Sequence, residues 1–234
     1  MSNTFELELS VPTSLGEITL SQYQKYMKIV EVNKDDDNAT DFLNMKLIEI
    51  FCNVDLSYVK KIPFKEYEKV LRVLSKAFKK ESELIRRFDL KGVDMGFVPN
   101  LEFISLGEYV DLEEYIQDWD NMHKAMAVLY RPVNFKSKQT YTIAPYEPSD
   151  DISELMKDMP LSVVMSSMVF FYNLGRELLE AIPTFITKSL NKEETYLFKQ
   201  ILEVNGGGIN QFTHSLKEMF SNSIPLQNFN YSSA

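Results

Sequence analysis

The stretch PFKEYEKVLRVLSKAF, residues 63–78, indicates the class of fold most clearly. Its apolar side chains recur at the spacing of one face of an α-helix, and they are Tyr67, Val70, Leu71, Leu74 and Phe78. Pro63 stands near the start of this segment, where a missing amide costs a helix nothing. The opposite face is rich in lysine (Lys65, Lys69, Lys76, Lys79, Lys80). We interpret that face as a solvated surface, and binding of an anionic partner is the alternative.

Similar patterns predict helices along most of the chain. Thr19 and Gln22 form a capping box that opens a helix ending at Asn33. Asp111, with Glu114 three residues on, opens a helix that carries Trp119 and ends at Arg131-Pro132. Other helices or helical turns are predicted over about 42–52, 55–61, 150–158, 160–181 (with an interruption at Pro183 and a further turn to 190), 191–205 and 209–220.

Two regions have the residue pattern of short strands joined by turns, which is typical of a small sheet. Residues 87–105 combine two glycines, a Pro-Asn turn and short apolar runs, which predicts a hairpin. Residues 131–146 predict two short strands, over 133–135 and 140–144, on either side of a polar segment. The expected fold is therefore mainly α, with about seven or eight helices and a small β element at about 87–105 and 131–146.

The chain divides into three parts by pattern. Residues 1–18 are predicted to be a strand-like arm because apolar and polar residues alternate over 5–9. Residues 19–220 are predicted to be one mainly helical domain with a soft boundary near 145–160. Residues 221–234 form an uncharged tail that carries Ile224, Leu226, Phe229 and Tyr231. We expect both ends to dock on a neighbouring subunit, and folding back on this chain's own surface is the alternative.

Charge and hydropathy exclude several classes of partner. The 234 residues include 25 Lys and Arg against 34 Asp and Glu, a net charge of −9 that disfavours binding to nucleic acid or to anionic membranes. The most apolar run, residues 161–174, is too short to span a bilayer. The N-terminus lacks the features of a signal peptide, and Cys52 is the single cysteine, so we expect a soluble protein made in a reducing compartment or in one where disulfides are irrelevant.

No motif for a metal or a phosphate is present in the sequence. His123 and His214 are the two histidines, and neither has a second ligand at zinc spacing. We interpret His123 as a core or interface histidine bonded to a carboxylate. The acidic run at Asp35 lacks the glycine and the final glutamate of a calcium loop. Gly206, Gly207 and Gly208 are interpreted as a joint between helices, since no P-loop lysine follows them.

The sequence offers no defensible catalytic residue either. There is no G-x-S-x-G motif, and Cys52 falls on the apolar face of a predicted helix. Carboxylate pairs of the glycosidase type remain open, because acidic residues are plentiful. We therefore predict a non-enzymatic protein with no catalytic, cofactor-binding or metal-ligating residues and no cofactor.

The segment from Met95 to Pro132 resembles proteins of tailed bacteriophages, especially crAss-like and related phages of Bacteroidetes hosts. The resemblance rests on GFVPNLE at 96–102, LGEYVDLEEYI at 106–116 and HKAMAVLYRPV at 123–133. The segments at 15–29, 141–146 and 156–174 fit the same pattern, so it covers about residues 15–180. Members of this family are usually described as structural or tail-assembly proteins, and the resemblance brings no catalytic residues with it.

The resemblance implies a virion protein, whether a tail, ring or internal component. Its expected partners are other virion subunits and copies of itself, with no nucleic acid and no membrane. Its expected location is the virion, after synthesis in the host bacterial cytoplasm. The alternative is a tail-assembly chaperone that binds an unassembled tail subunit and is absent from the mature particle. An enzyme is the third and weakest hypothesis.

Overall fold

The computed structural model describes residues 8–36, 38–79, 83–138, 140–189, 214 and 217–219. These residues are mainly helical and include a small four-stranded antiparallel sheet, which confirms the general prediction of a mainly α fold with a small β element. The helices are α1 (Leu20–Val32), α2 (Thr40–Phe51), α3 (Leu56–Val59), α4 (Phe64–Phe78), α5 (Leu106–Tyr115), α6 (Met122–Leu129), α7 (Asp150–Met156) and α8 (Leu161–Ser189). The strands are β1 (Arg87–Leu90), β2 (Val93–Phe97), β3 (Tyr130–Ser137) and β4 (Thr140–Ile143).

An aromatic cluster joins the N-terminal helices to the middle of the chain. The Tyr23 ring of α1 lies 6.5 Å from that of Phe51 in α2 and 6.1 Å from that of Phe78 in α4, centroid to centroid. It also meets Trp119 edge to face at 4.6 Å. The predicted capping box fixes the start of α1, because Gln22 N donates to Thr19 Oγ1 and Thr19 N donates to Gln22 Oε1.

The sheet has the order β1-β2-β3-β4, and every neighbouring pair is antiparallel. β1 and β2 are joined through Lys91 and Gly92, both with positive φ, as a tight two-residue hairpin turn requires. Tyr130 of β3 fixes the sheet to α8, since its hydroxyl lies 2.8 Å from Ser167 Oγ and donates to the Ile85 carbonyl. Helix α8 therefore packs across this sheet as well as against α1.

The prediction of one continuous helix from Asp111 to Tyr130 is wrong. The chain forms α5 and α6 with a turn over 116–121, and α5 begins at Leu106. Ser105 and Glu108 form the capping box that starts α5, five residues ahead of the expected start. In the turn, Asp118 Oδ1 accepts a hydrogen bond from Asn121 N at 2.8 Å, a local bond that competes with continued helix.

Two further expectations need correction. Helix α8 continues through Pro183 to Ser189, because an internal proline removes one backbone hydrogen bond without necessarily ending a helix. Residues 8 and 9 are not in a strand, although a strand was predicted over 5–9; Leu9 instead packs at the edge of the core. Residues 5–7, the predicted helix over 191–205, most of that over 209–220 and the tail 221–234 lie outside the described residues.

Candidate interaction surface

The outer face of α5 exposes a group of large apolar side chains. Phe103, just ahead of the helix, is 83% exposed, and Leu106 is 78% exposed. Tyr109 and Val110 are half exposed on the same side, since positions three and four apart share a helix face. Glu102, Glu113 and Glu114 are exposed around them. We call these seven residues the acidic apolar face.

A buried ion pair holds α5 against the sheet behind this face. Arg131 of β3 contacts Glu108 of α5, with 2.6 Å between Nη2 and Oε1, and both side chains are about nine-tenths buried. Glu108 Oε2 also accepts the backbone N–H of Ser105 at 2.7 Å. Burial alone would raise the pKa of Glu108, but the hydrogen bonds from Ser105 and the charge of Arg131 outweigh it and hold that pKa below its ordinary value. Glu108 is therefore ionised at neutral pH, and it fixes the position of α5.

A cavity of about 360 Å³ lies beside this ion pair. Its walls include Tyr115, Lys124, Arg131 and Tyr146. The Tyr146 hydroxyl donates to Asp111 Oδ2 at 2.6 Å, which ties the segment before α7 to α5. Burial and the bond to Asp111 raise the pKa of Tyr146 well above its ordinary value. Arg131 and Tyr146 of this cavity are thus bonded to Glu108 and Asp111 of α5, and both contacts hold α5 in place.

A second cavity, of about 530 Å³, lies between α1 and the start of α6. Gln24 is buried there and donates from Nε2 to the Trp119 carbonyl at 2.7 Å, with His123 Nδ1 3.1 Å away. His123 Nε2 lies 3.8 Å from a carboxylate oxygen of Glu154. Burial, followed by the charge of Lys157, lowers the pKa of His123, so the ring is neutral at pH 7. We interpret this pair as an internal polar bridge between α1 and α6.

The other candidates from the sequence are not brought together. Cys52 is buried at the end of α2, and burial raises the pKa of its thiol to about 11, so it is a poor nucleophile. His214 is exposed, with Nδ1 3.6 Å from Glu218 Oε2. Gly206, Gly207 and Gly208 lie outside the described residues. Within the part of the chain that is described, no three His, Cys, Asp or Glu side chains cluster closely enough to hold a metal ion.

Sequence reasoning missed the acidic apolar face. The sequence pattern predicts one core helix over residues 111–130 and leaves the exposure of Phe103 and Leu106 unaddressed. A signal was present: α5 and the turn before it carry apolar residues on two sides, whereas an ordinary surface helix has one apolar stripe. Leu112 occupies the inner side, so the outer apolar side chains are in excess of what the core needs.

Comparison of the chain with protein-family models, with curated proteins and with solved structures finds no match in any of the three. Among the helices described here, none combines the length and apolar character that crossing a bilayer requires. The surface on α5 is thus identified from exposure, charge and packing alone.

Proposed function

We propose that the chain is a non-enzymatic structural protein of a tailed-phage virion, a tail, ring or internal component that acts through contacts with other virion subunits. The observation that carries this proposal is the acidic apolar face. Contiguous exposed apolar side chains with a polar rim are typical of protein interfaces. Leaving Phe103 and Leu106 in water is unfavourable, and a partner subunit that covers them recovers that free energy.

The position of the face within the sequence supports the phage assignment. The motifs GFVPNLE at 96–102 and LGEYVDLEEYI at 106–116, on which the resemblance to tailed-phage proteins rests, contain six of the seven residues of the acidic apolar face, and Phe103 lies between the two motifs. The buried bond between Glu108 and Arg131 holds these motifs rigidly on the sheet. A preorganised surface loses little entropy on binding, as an assembly subunit requires.

The surroundings of the ionisable side chains support a non-catalytic role. Glu108 is engaged with Arg131, Asp111 with Tyr146, and His123 with Gln24. Each of these contacts joins two structural elements of the described chain, so each group already has a packing role.

Quantitative mass spectrometry of purified virions tests this proposal. The phage that encodes the chain is grown, and its particles are purified by two rounds of density-gradient centrifugation and washed at high salt. We expect peptides of this chain at a fixed ratio to the major capsid protein, and a host cytoplasmic protein of similar abundance serves as the contamination control. Absence from particles, together with co-purification with an unassembled tail subunit, would favour the chaperone alternative. Absence from both would overturn the proposal.

A further inference from the structure

Two segments of the chain carry opposite charge. Residues 101–120 contain seven acidic residues and no basic one, and two of the seven are paired within the fold, Glu108 with Arg131 and Asp120 with Lys28. Residues 60–79 contain seven basic residues and two acidic ones, in a chain whose net charge is −9. The basic excess therefore stands out against an acidic background. Opposite patches on one molecule favour contacts between copies, because each patch meets its complement on the neighbour.

The basic segment also exposes an aromatic side chain, Phe64, which a face that contacts only water does not require. Phe64, the first residue of α4, is 74% exposed and stacks loosely on Tyr67 with ring centroids 6.4 Å apart. Lys60, Lys61 and Lys65 are exposed at nearby positions of the chain, and Lys61 Nζ lies 5.3 Å from the centroid of the partly exposed Tyr58 ring. We call Tyr58, Lys60, Lys61, Phe64 and Lys65 the basic aromatic face. The inner side of α4 is buried through other residues, Leu71, Leu74 and Ala77.

The acidic apolar face and the basic aromatic face are complementary in charge, and each carries exposed apolar side chains. One offers Phe103 and Leu106 with exposed glutamates at neighbouring positions, and the other offers Phe64 with exposed lysines at neighbouring positions. An interface built from them places apolar side chains at the centre and complementary charges at the edge, the usual anatomy of a specific contact. Residues 92–123 contain no lysine or arginine, so the glutamates of the acidic apolar face have no basic partner from their own segment.

We infer that a second copy of this chain occupies the acidic apolar face, with the basic aromatic face of α4 as its docking surface. The two faces belong to different parts of the fold, since α4 packs on α2 whereas α5 packs on α6. The contact is therefore head to tail, with one type of face on each partner. A head-to-tail contact closes into a ring or continues as a filament, depending on the rotation between copies. This inference does not require the phage assignment.

Analytical ultracentrifugation of the full chain tests the inference through three serine variants of exposed residues. Leu106→Ser removes the anchor of the acidic apolar face, Phe64→Ser removes that of the basic aromatic face, and Val32→Ser is the control at an 85% exposed position on α1. We expect the wild type and Val32→Ser to self-associate. We expect Leu106→Ser and Phe64→Ser each to weaken association at least about tenfold in Kd.

Mixing the two weakened variants distinguishes a head-to-tail contact from a symmetric one. Each variant retains one intact face, so an equimolar mixture should form a 1:1 heterodimer and grow no further. Association of the wild type should also weaken between ~0.01 M and ~1 M NaCl, over which the Debye length falls from ~30 Å to ~3 Å.

Three results would overturn the inference. They are a wild type that stays monomeric at every soluble concentration, Phe64→Ser associating as the wild type does, and a mixture of the two variants that behaves as the sum of its parts. A monomeric wild type that is nonetheless abundant in virions would reject self-association and leave the proposed virion role intact. Circular dichroism of each variant checks that the helices are retained.

Discussion

Replacing Glu108 with glutamine should destabilise the fold more than any comparable change of a surface carboxylate. The substitution keeps the size of the side chain and its acceptor oxygen, but it removes the charge that faces Arg131. Both side chains of this pair are about nine-tenths buried, and Arg131 Nε has no hydrogen-bond partner among the described residues. Glu108→Gln therefore leaves a buried guanidinium without its counter-charge.

The expected loss follows from that burial. Breaking a buried ion pair by removing one partner costs about 3–5 kcal/mol, because the remaining charge stays desolvated. For a chain of this size, each kcal/mol corresponds to about 2–4 °C in Tm, so we expect Tm to fall by about 6–20 °C. Ser105→Ala removes only the side-chain acceptor of the capping box and should cost about 1 kcal/mol. The double variant Glu108→Gln/Arg131→Met should recover most of the loss, since an uncharged glutamine–methionine pair leaves no buried charge.

The dependence of stability on pH tests independently whether the ionised form of Glu108 stabilises the fold. The pKa of Glu108 is lowered in the folded protein relative to its ordinary value of 4.5. The stabilisation from its ionised form is thus fully present above about pH 4.5 and is lost as the pH falls through the lower folded value. Wild-type stability should decline over that acidic range more steeply than that of Glu108→Gln.

Thermal unfolding followed by circular dichroism at pH 7 and at several acidic pH values measures all of these quantities. Glu154→Gln is the matched control, because Glu154 pairs with Lys157 in an exposed ion pair and should leave Tm nearly unchanged. A Tm of Glu108→Gln within about 2 °C of the wild type would refute the argument, as would equal effects of the two glutamine variants.

Four further predictions follow from packing and from the sequence. Trp119→Ala should cost about 3–5 kcal/mol in urea unfolding because Trp119 is buried edge to face against an aromatic ring; an unchanged midpoint would contradict its core position. Gly96→Ala should cost about 1–3 kcal/mol, since the new Cβ would lie 2.7 Å from Tyr141 Cε2 and 2.9 Å from Val133 Cγ2; a wild-type Tm would show that the strands relax freely. Zinc, calcium, ATP and NAD should leave the thermal-shift Tm unchanged, and stabilisation by several degrees would reveal a ligand site. Deletion of 221–234 should keep the Tm of the isolated chain and lower its incorporation into particles; unfolding of the truncated chain, or normal assembly, would reject a docking role for the tail.

Local signals in the sequence predicted the helical part of the fold well. The capping box of Thr19 and Gln22 starts α1, and the apolar spacing of 63–78 gives α4, because both depend on residues within a turn or two. The break between α5 and α6 was missed. Apolar side chains continue at helical spacing across residues 116–121, so the periodicity hides the turn that the bond between Asp118 and Asn121 stabilises.

Apolar residues on two sides of α5 are visible in the sequence, but they do not show which side is exposed, because exposure is a tertiary property. The spacing of Phe103, Leu106 and Val110 is the same whether that face lies in the core or in water. The structure decides between these cases by placing Leu112 and the bond between Glu108 and Arg131 on the inner side of α5. Likewise, the lysine face of α4 was interpreted as solvated, and the exposure of Phe64 beside it is what now favours a partner.

The most direct test of the account compares how well two single-residue variants are incorporated into virions. Cells that express Leu106→Ser or Val32→Ser are infected with a phage that lacks its own copy of this chain. The chain is then quantified in purified particles by mass spectrometry. Both residues are exposed aliphatic side chains, but only Leu106 lies on the acidic apolar face. The account predicts wild-type incorporation of Val32→Ser and at least about tenfold less Leu106→Ser per particle. Equal incorporation of the two variants would contradict the claim that the chain acts through this face of α5.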